Sequence, residues 1–125
     1  DDVIEMGAGD TCVYAEAVVS DQSSGESAAS GGLCGLLPED QMEGCRELWA
    51  EFEERSSAEA KFAATIDRLM PLLHNLHTEG RSWREHGIRK NQVSSRNEVM
   101  KEGARPLWEF AMSLIDDAVD REYLE

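Results

Sequence analysis

The sequence has no apolar run near the roughly 18 residues that a membrane-spanning helix needs. Its longest, Leu69–Met70–Pro71–Leu72–Leu73, stops at His74. Basic residues are scarce at first: residues 1–60 hold two basic and fifteen acidic side chains, against ten and eleven in residues 61–125. A net charge of −14 argues against nonspecific attachment to DNA, RNA or anionic membrane, all of which would repel it. Asp1–Asp2 has neither the basic nor the apolar region of a signal peptide. Cysteine is limited to Cys12, Cys34 and Cys45, an odd set without C-x-x-C spacing. That set fits reduced thiols in a cytoplasm better than a disulfide frame or a zinc knuckle. No segment alternates convincingly with period two, so no sheet is expected and the predicted class is all-α.

What is present reads as helices within a single domain over residues 1–125. Pro38–Glu39–Asp40 suits a helix start, where proline loses no hydrogen bond and acidic groups meet the positive dipole end. Met42, Cys45, Leu48, Trp49 and Phe52 then form one stripe. Ser56-x-x-Glu59 has the form of a capping box, opening a helix whose apolar side is Phe62, Ile66, Leu69, Leu73 and Leu76. Pro71 lies inside that helix and is expected to bend it. Residues 78–89 read as a connection broken by Gly80 and Gly87, followed by a helix over 91–102 that stops at Gly103. A last helix begins near Pro106, with Leu107, Ala111, Leu114 and Ala118 on one side and Trp108, Ile115 and Val119 beside it. The exception is residues 16–35, rich in glycine and serine. Each glycine there costs a helix roughly 0.5–1 kcal/mol relative to alanine, so a flexible linker or a weakened helix is expected.

The residues with most chemical potential stand first. If residues 1–6 end a helix, Asp2 and Glu5 project from the same face, and Gly7 and Gly9 let Asp10 turn toward them. Two carboxylates about 4 Å apart repel by roughly 4 kcal/mol at an effective dielectric of 20, so such a cluster favours a cation or a proton. The plainer interpretation is a solvated acidic helix end. His74 and His77, three apart, are a weaker candidate for a shared metal than for partly exposed histidines at a helix end. His86 reads as a cap on its turn, and Trp49, Trp83 and Trp108 as core or subunit contacts. The basic run from Arg81 to Arg105 suits pairing with the acidic half better than a phosphate site.

Asp1-Asp2-Val3-Ile4-Glu5-Met6-Gly7-Ala8-Gly9-Asp10-Thr11 resembles the H-D-x-x-E-x-x-A-G-D-T segment of HD-superfamily phosphohydrolases, in particular the bacterial branch similar to 5′-deoxynucleotidases. The resemblance continues through Gly35-Leu36-Leu37-Pro38-Glu39-Asp40 and Glu47-Leu48-Trp49-x-Glu51-Phe52-Glu53. It takes in Ala58–Phe62, Ile66-Asp67-Arg68-Leu69, Ser82–Gly87 and Arg96-Asn97. It implies a helical bundle like the C-terminal portion of an HD domain and a divalent metal (manganese, cobalt or magnesium). It also implies a small phosphorylated substrate such as a nucleoside monophosphate. By the same resemblance Asp2 and Asp67 are metal ligands, Glu5 handles the attacking water, and Asp10 lies near the sugar and water. Asp1 stands where the family has the HD histidine, and the early histidine has no counterpart. Two of four ligand positions are thus altered or missing, and the activity expected of these residues is weak or absent. The alternative is a non-enzymatic helical protein derived from the family, which self-associates or binds a partner. A homodimer is expected on either reading.

Overall fold

The computed structural model describes residues 19–125, with side chains from residue 27 onward. Among them the secondary structure is entirely helical, as predicted, and it divides between two compact units, residues 1–54 and 55–125. Among the described residues no helix is long and apolar enough to cross a membrane.

In the first unit, α1 (Val19–Cys34) and α2 (Glu39–Glu54) pack as a hairpin. Where composition suggested a linker or a weakened helix over 16–35, the backbone is helical from Val19 to Cys34 despite Gly25, Gly31 and Gly32. The helix closes with the Gly35 N–H donating to Gly31 O at 3.1 Å and the Leu37 N–H donating to Cys34 O at 3.1 Å. Pro38 then opens α2 as expected, its carbonyl accepting from Gln41 N at 2.9 Å and Met42 N at 3.0 Å. Met42, Cys45, Trp49 and Phe52 form a half-buried stripe, with the Trp49 and Phe52 ring centroids 5.7 Å apart. Leu48, assigned to that stripe from its spacing, is instead 69% exposed.

The second unit is built around α3 (Ala58–His77), followed by α4 (Arg81–His86), α5 (Lys90–Asn97), α6 (Met100–Gly103) and α7 (Arg105–Asp120). α6 and α7 pack against α3, and α5 packs against α7. The cap of α3 is Ser57 rather than Ser56: its side-chain oxygen accepts from Ala60 N at 3.1 Å. The buried face of α3 is also not the one that the large apolar residues marked. Ala60, Ala64, Thr65, Leu69 and Leu72 are buried, whereas Phe62 and Ile66 remain 50% and 38% exposed. Close approach explains the difference. A Cβ at Gly103 would collide with the Lys61 carbonyl and the Thr65 hydroxyl, so α6 crosses α3 over its small residues and excludes bulky ones from that face.

Two further boundaries differ from the sequence reading. The connection at 78–89 contains α4, framed by Gly80 (φ 65°) and Gly87 (φ 61°), which adopt the left-handed conformation that glycine tolerates best. The helix expected over 91–102 is split into α5 and α6. At the break Lys101 N donates to Glu98 O and Glu102 N to Val99 O, both at 3.1 Å and both three residues apart. The backbone there tightens rather than unwinds. Met100, Ala111, Ile115, Val93 and Ala118 are completely or almost completely buried. Each large member contributes about 1.5–3 kcal/mol by burial.

Candidate functional site

α3 positions the site residue that the described structure contains, Asp67. It lies seven residues after Ala60 and three after Ala64, so it projects from the face of those buried alanines. Its side chain is 25% exposed, and one oxygen lies 4.0 Å from Arg68 Nη1 on a side chain 17% exposed. A contact that long between sequence neighbours is loose and of little energetic weight, leaving the carboxylate available to another cation. Pro71 has no N–H to give to the Asp67 carbonyl one turn back, so the proline alters the hydrogen bonding of the turn that carries this carboxylate.

Asp1, Asp2, Glu5 and Asp10 lie outside the described residues. Among the described residues no group of three or more His, Cys, Asp or Glu is arranged to hold a metal ion. A metal centre built on Asp67 therefore draws its other donors from residues outside that set. The chemistry of the expected donors fits: Asp1, Asp2 and Asp67 offer only carboxylate oxygens, which suit hard divalent cations better than zinc.

The weaker candidates resolve as ordinary structure. His74 and His77 are both exposed in the last turn of α3, where they meet the negative end of the helix dipole. His77 borders an open groove with Leu73, Leu76, Glu79, Arg121 and Tyr123. The cation of that groove is already engaged, since Arg121 Nε donates to Asp117 Oδ1 at 3.0 Å. His86 Nδ1 lies 2.9 Å from the Ser82 carbonyl, capping its own turn as expected. Trp83 is buried, whereas Trp108 is half-buried with Lys101 Nζ 5.1 Å from its ring centroid.

The basic run was expected to pair with the acidic first half, yet four of its cations are matched within the second unit. Arg81 meets Glu85 at 3.3 Å, Lys90 meets Asp116 at 2.7 Å, Lys101 meets Glu98 at 2.6 Å and Arg105 meets Glu109 at 3.6 Å. Local partners three or four residues along a helix outcompete distant ones because their chain entropy is already spent. Arg68 was quoted only as part of a motif. Its low exposure beside Asp67 makes it the neighbour that sets the local charge, and the adjacency of opposite charges was the available signal.

The comparisons with known proteins add the following. The model of the HD domain family matches residues 2–108. The 5′-deoxynucleotidase HDDC2 of Bos taurus is 46% identical over 48 residues, which is 38% of this chain and 23% of that protein. The Homo sapiens 5′-deoxynucleotidase HDDC2 is 44% identical over 48 residues, 38% of this chain and 24% of that protein. These matches thus span less than a quarter of the curated relatives' length. The crystal structure of a predicted metal-dependent phosphohydrolase from Magnetospirillum magnetotacticum MS-1 superposes with a TM-score of 0.88 at 42% identity. That superposition covers 98% of this chain and 61% of the bacterial one.

Proposed function

The chain belongs to the HD domain family, and from that membership we propose that it carries part of a metal-dependent phosphohydrolase centre acting on nucleoside monophosphates, with weak turnover in this form. The observation that most supports this reading is the likeness to the bacterial metal-dependent phosphohydrolase, at 42% identity over 98% of the chain. In this proposal Asp2 and Asp67 are the principal metal ligands, with Asp1 beside them in the place of the HD histidine. A divalent cation (manganese, cobalt or magnesium) supplies Lewis acidity toward a phosphoryl oxygen when bound. Glu5 takes the proton from the attacking water, and Asp10 orients that water beside the sugar. Asp67 is held on α3, so its helix fixes one corner of the centre.

Asp1 accounts for the weak turnover. A carboxylate in place of a neutral imidazole adds a negative charge that attracts a hard cation but repels a phosphate monoester. A cytoplasmic setting, with reduced thiols, belongs to the same reading. The test is phosphate release from a panel of nucleoside monophosphates with manganese, cobalt or magnesium. Slow, metal-dependent release is expected, disappearing in Glu5→Gln and Asp67→Asn and rising at least about tenfold in Asp1→His, since restoring a ligand should exceed the 10–100-fold effects of outer-shell changes. Release that is indifferent to metal and to Asp67→Asn would refute it.

One observation favours a second reading, a non-enzymatic protein that self-associates as a homodimer. Phe62, Ile66 and Met70 recur at four-residue steps along α3 and are 50%, 38% and 59% exposed. A second copy covering that stripe would remove it from water. Light scattering at micromolar concentration should then give twice the chain mass, reverting to the single mass in Phe62→Glu/Met70→Glu. A monomer in the unmodified chain contradicts the dimer.

A further inference from the structure

α1 ends at Cys34 and α2 carries Cys45 in its second turn, with only Gly35-Leu36-Leu37-Pro38 between the helices. Both cysteines are free; Cys34 is 1% exposed, and Cys45 is half-buried on the α2 stripe. The two thiols meet across the hairpin, and the hydrogen bond from the Cys34 side chain is the leading cause that raises the Cys45 pKa above its ordinary value. Sequence spacing hid this pair, because ten residues separate the cysteines and no C-x-x-C signature marks them.

We propose that Cys34 and Cys45 are a dithiol modification site, oxidised reversibly by low-molecular-weight disulfides to an intrachain bond that clamps α1 to α2. Cys45, the accessible partner, acts first. Its thiolate attacks one sulfur of glutathione disulfide, breaking that bond, forming a Cys45–glutathione disulfide and releasing one glutathione thiolate. The Cys34 thiolate then attacks the Cys45 sulfur, forming the Cys34–Cys45 bond and releasing the second glutathione. The two protein thiols give up two electrons and two protons; the disulfide takes the electrons, and the protons balance the two released thiols. The burial of Cys34 makes it a resolving partner shielded from direct attack. The raised Cys45 pKa leaves little thiolate near neutrality, so oxidation accelerates by about tenfold per pH unit while the pH stays below that raised value.

The test incubates the full chain with glutathione disulfide without oxygen, blocks free thiols, and cleaves after glutamate. Cleavage at Glu5, Glu16, Glu26, Glu39, Glu43 and Glu47 places the three cysteines on separate peptides. Loss of two of the three free thiols is expected, with a linked peptide joining residues 27–39 to residues 44–47 and its disappearance under dithiothreitol. Cys34→Ser should accumulate the Cys45–glutathione adduct, and Cys45→Ser should form no intrachain bond while keeping its helical circular dichroism. The proposal is overturned if all three thiols stay free. A stable glutathione adduct on Cys45 of the unmodified chain, or a bond from either cysteine to Cys12 or to a second copy, overturns it equally.

Discussion

Asp67 and Glu98 are both acidic residues of the second unit, yet their surroundings give them different work. Glu98 accepts a hydrogen bond from Lys101 Nζ at 2.6 Å, and that bond, followed by the ammonium charge, holds its carboxyl below the ordinary value. A depressed folded pKa means that the pair's stabilisation is present above the unfolded value and is lost as pH falls through the folded one. A carboxyl titration followed by NMR should therefore place the Glu98 midpoint below that of an ordinary glutamate, returning upward in Lys101→Met. An unchanged midpoint in that variant would remove the cause assigned here. Asp67 has only the looser neighbour at 4.0 Å, which fits a side chain reserved for a ligand rather than for helix stability. Its family role was legible because Ile66-Asp67-Arg68 stands in a specific motif. The half-buried Arg68 beside it was not, since sequence adjacency does not reveal how much of a guanidinium is covered.

At the scale of elements, punctuation was easier to read than packing. Pro38, Gly80, Gly87, Gly103 and Pro106 mark real helix boundaries because each acts through its own backbone. Which face of α3 turns inward was misread, since that depends on a distant residue: Gly103 allows α6 to approach, and the approach selects alanine and threonine over phenylalanine and isoleucine. The glycines can be told apart by this logic. A Cβ at Gly31 or Gly32 would meet nothing within 4 Å, whereas one at Gly103 would meet backbone. Gly31→Ala and Gly32→Ala should each stabilise the α1 helix by up to about 1 kcal/mol, seen as slower amide exchange in that segment. Gly103→Ala should cost about 1–3 kcal/mol in urea unfolding through overpacking. Equal effects at all three positions would contradict the close approach of α6 and α3.

For the whole molecule, charge and family membership support related conclusions. The acidic first sixty residues leave the chain ill-suited to polyanions, while a carboxylate-rich centre is suited to a hard cation that can offset the charge of one small phosphate. The all-α class followed from missing alternation, and the family from ordered motifs that span most of the chain. The arrangement of the two units, and the placing of Asp2, Glu5 and Asp10 relative to Asp67, follow from long-range packing that no local pattern encodes. The most direct measurement is therefore manganese binding to the pure chain, with free ion counted by electron paramagnetic resonance, for the unmodified protein and for Asp67→Asn with matched helical content. Saturable binding that weakens at least about tenfold in Asp67→Asn is the predicted result, on the scale that ligand-shell changes produce. Equal affinity in the two proteins would contradict the claim that α3 carries a metal ligand.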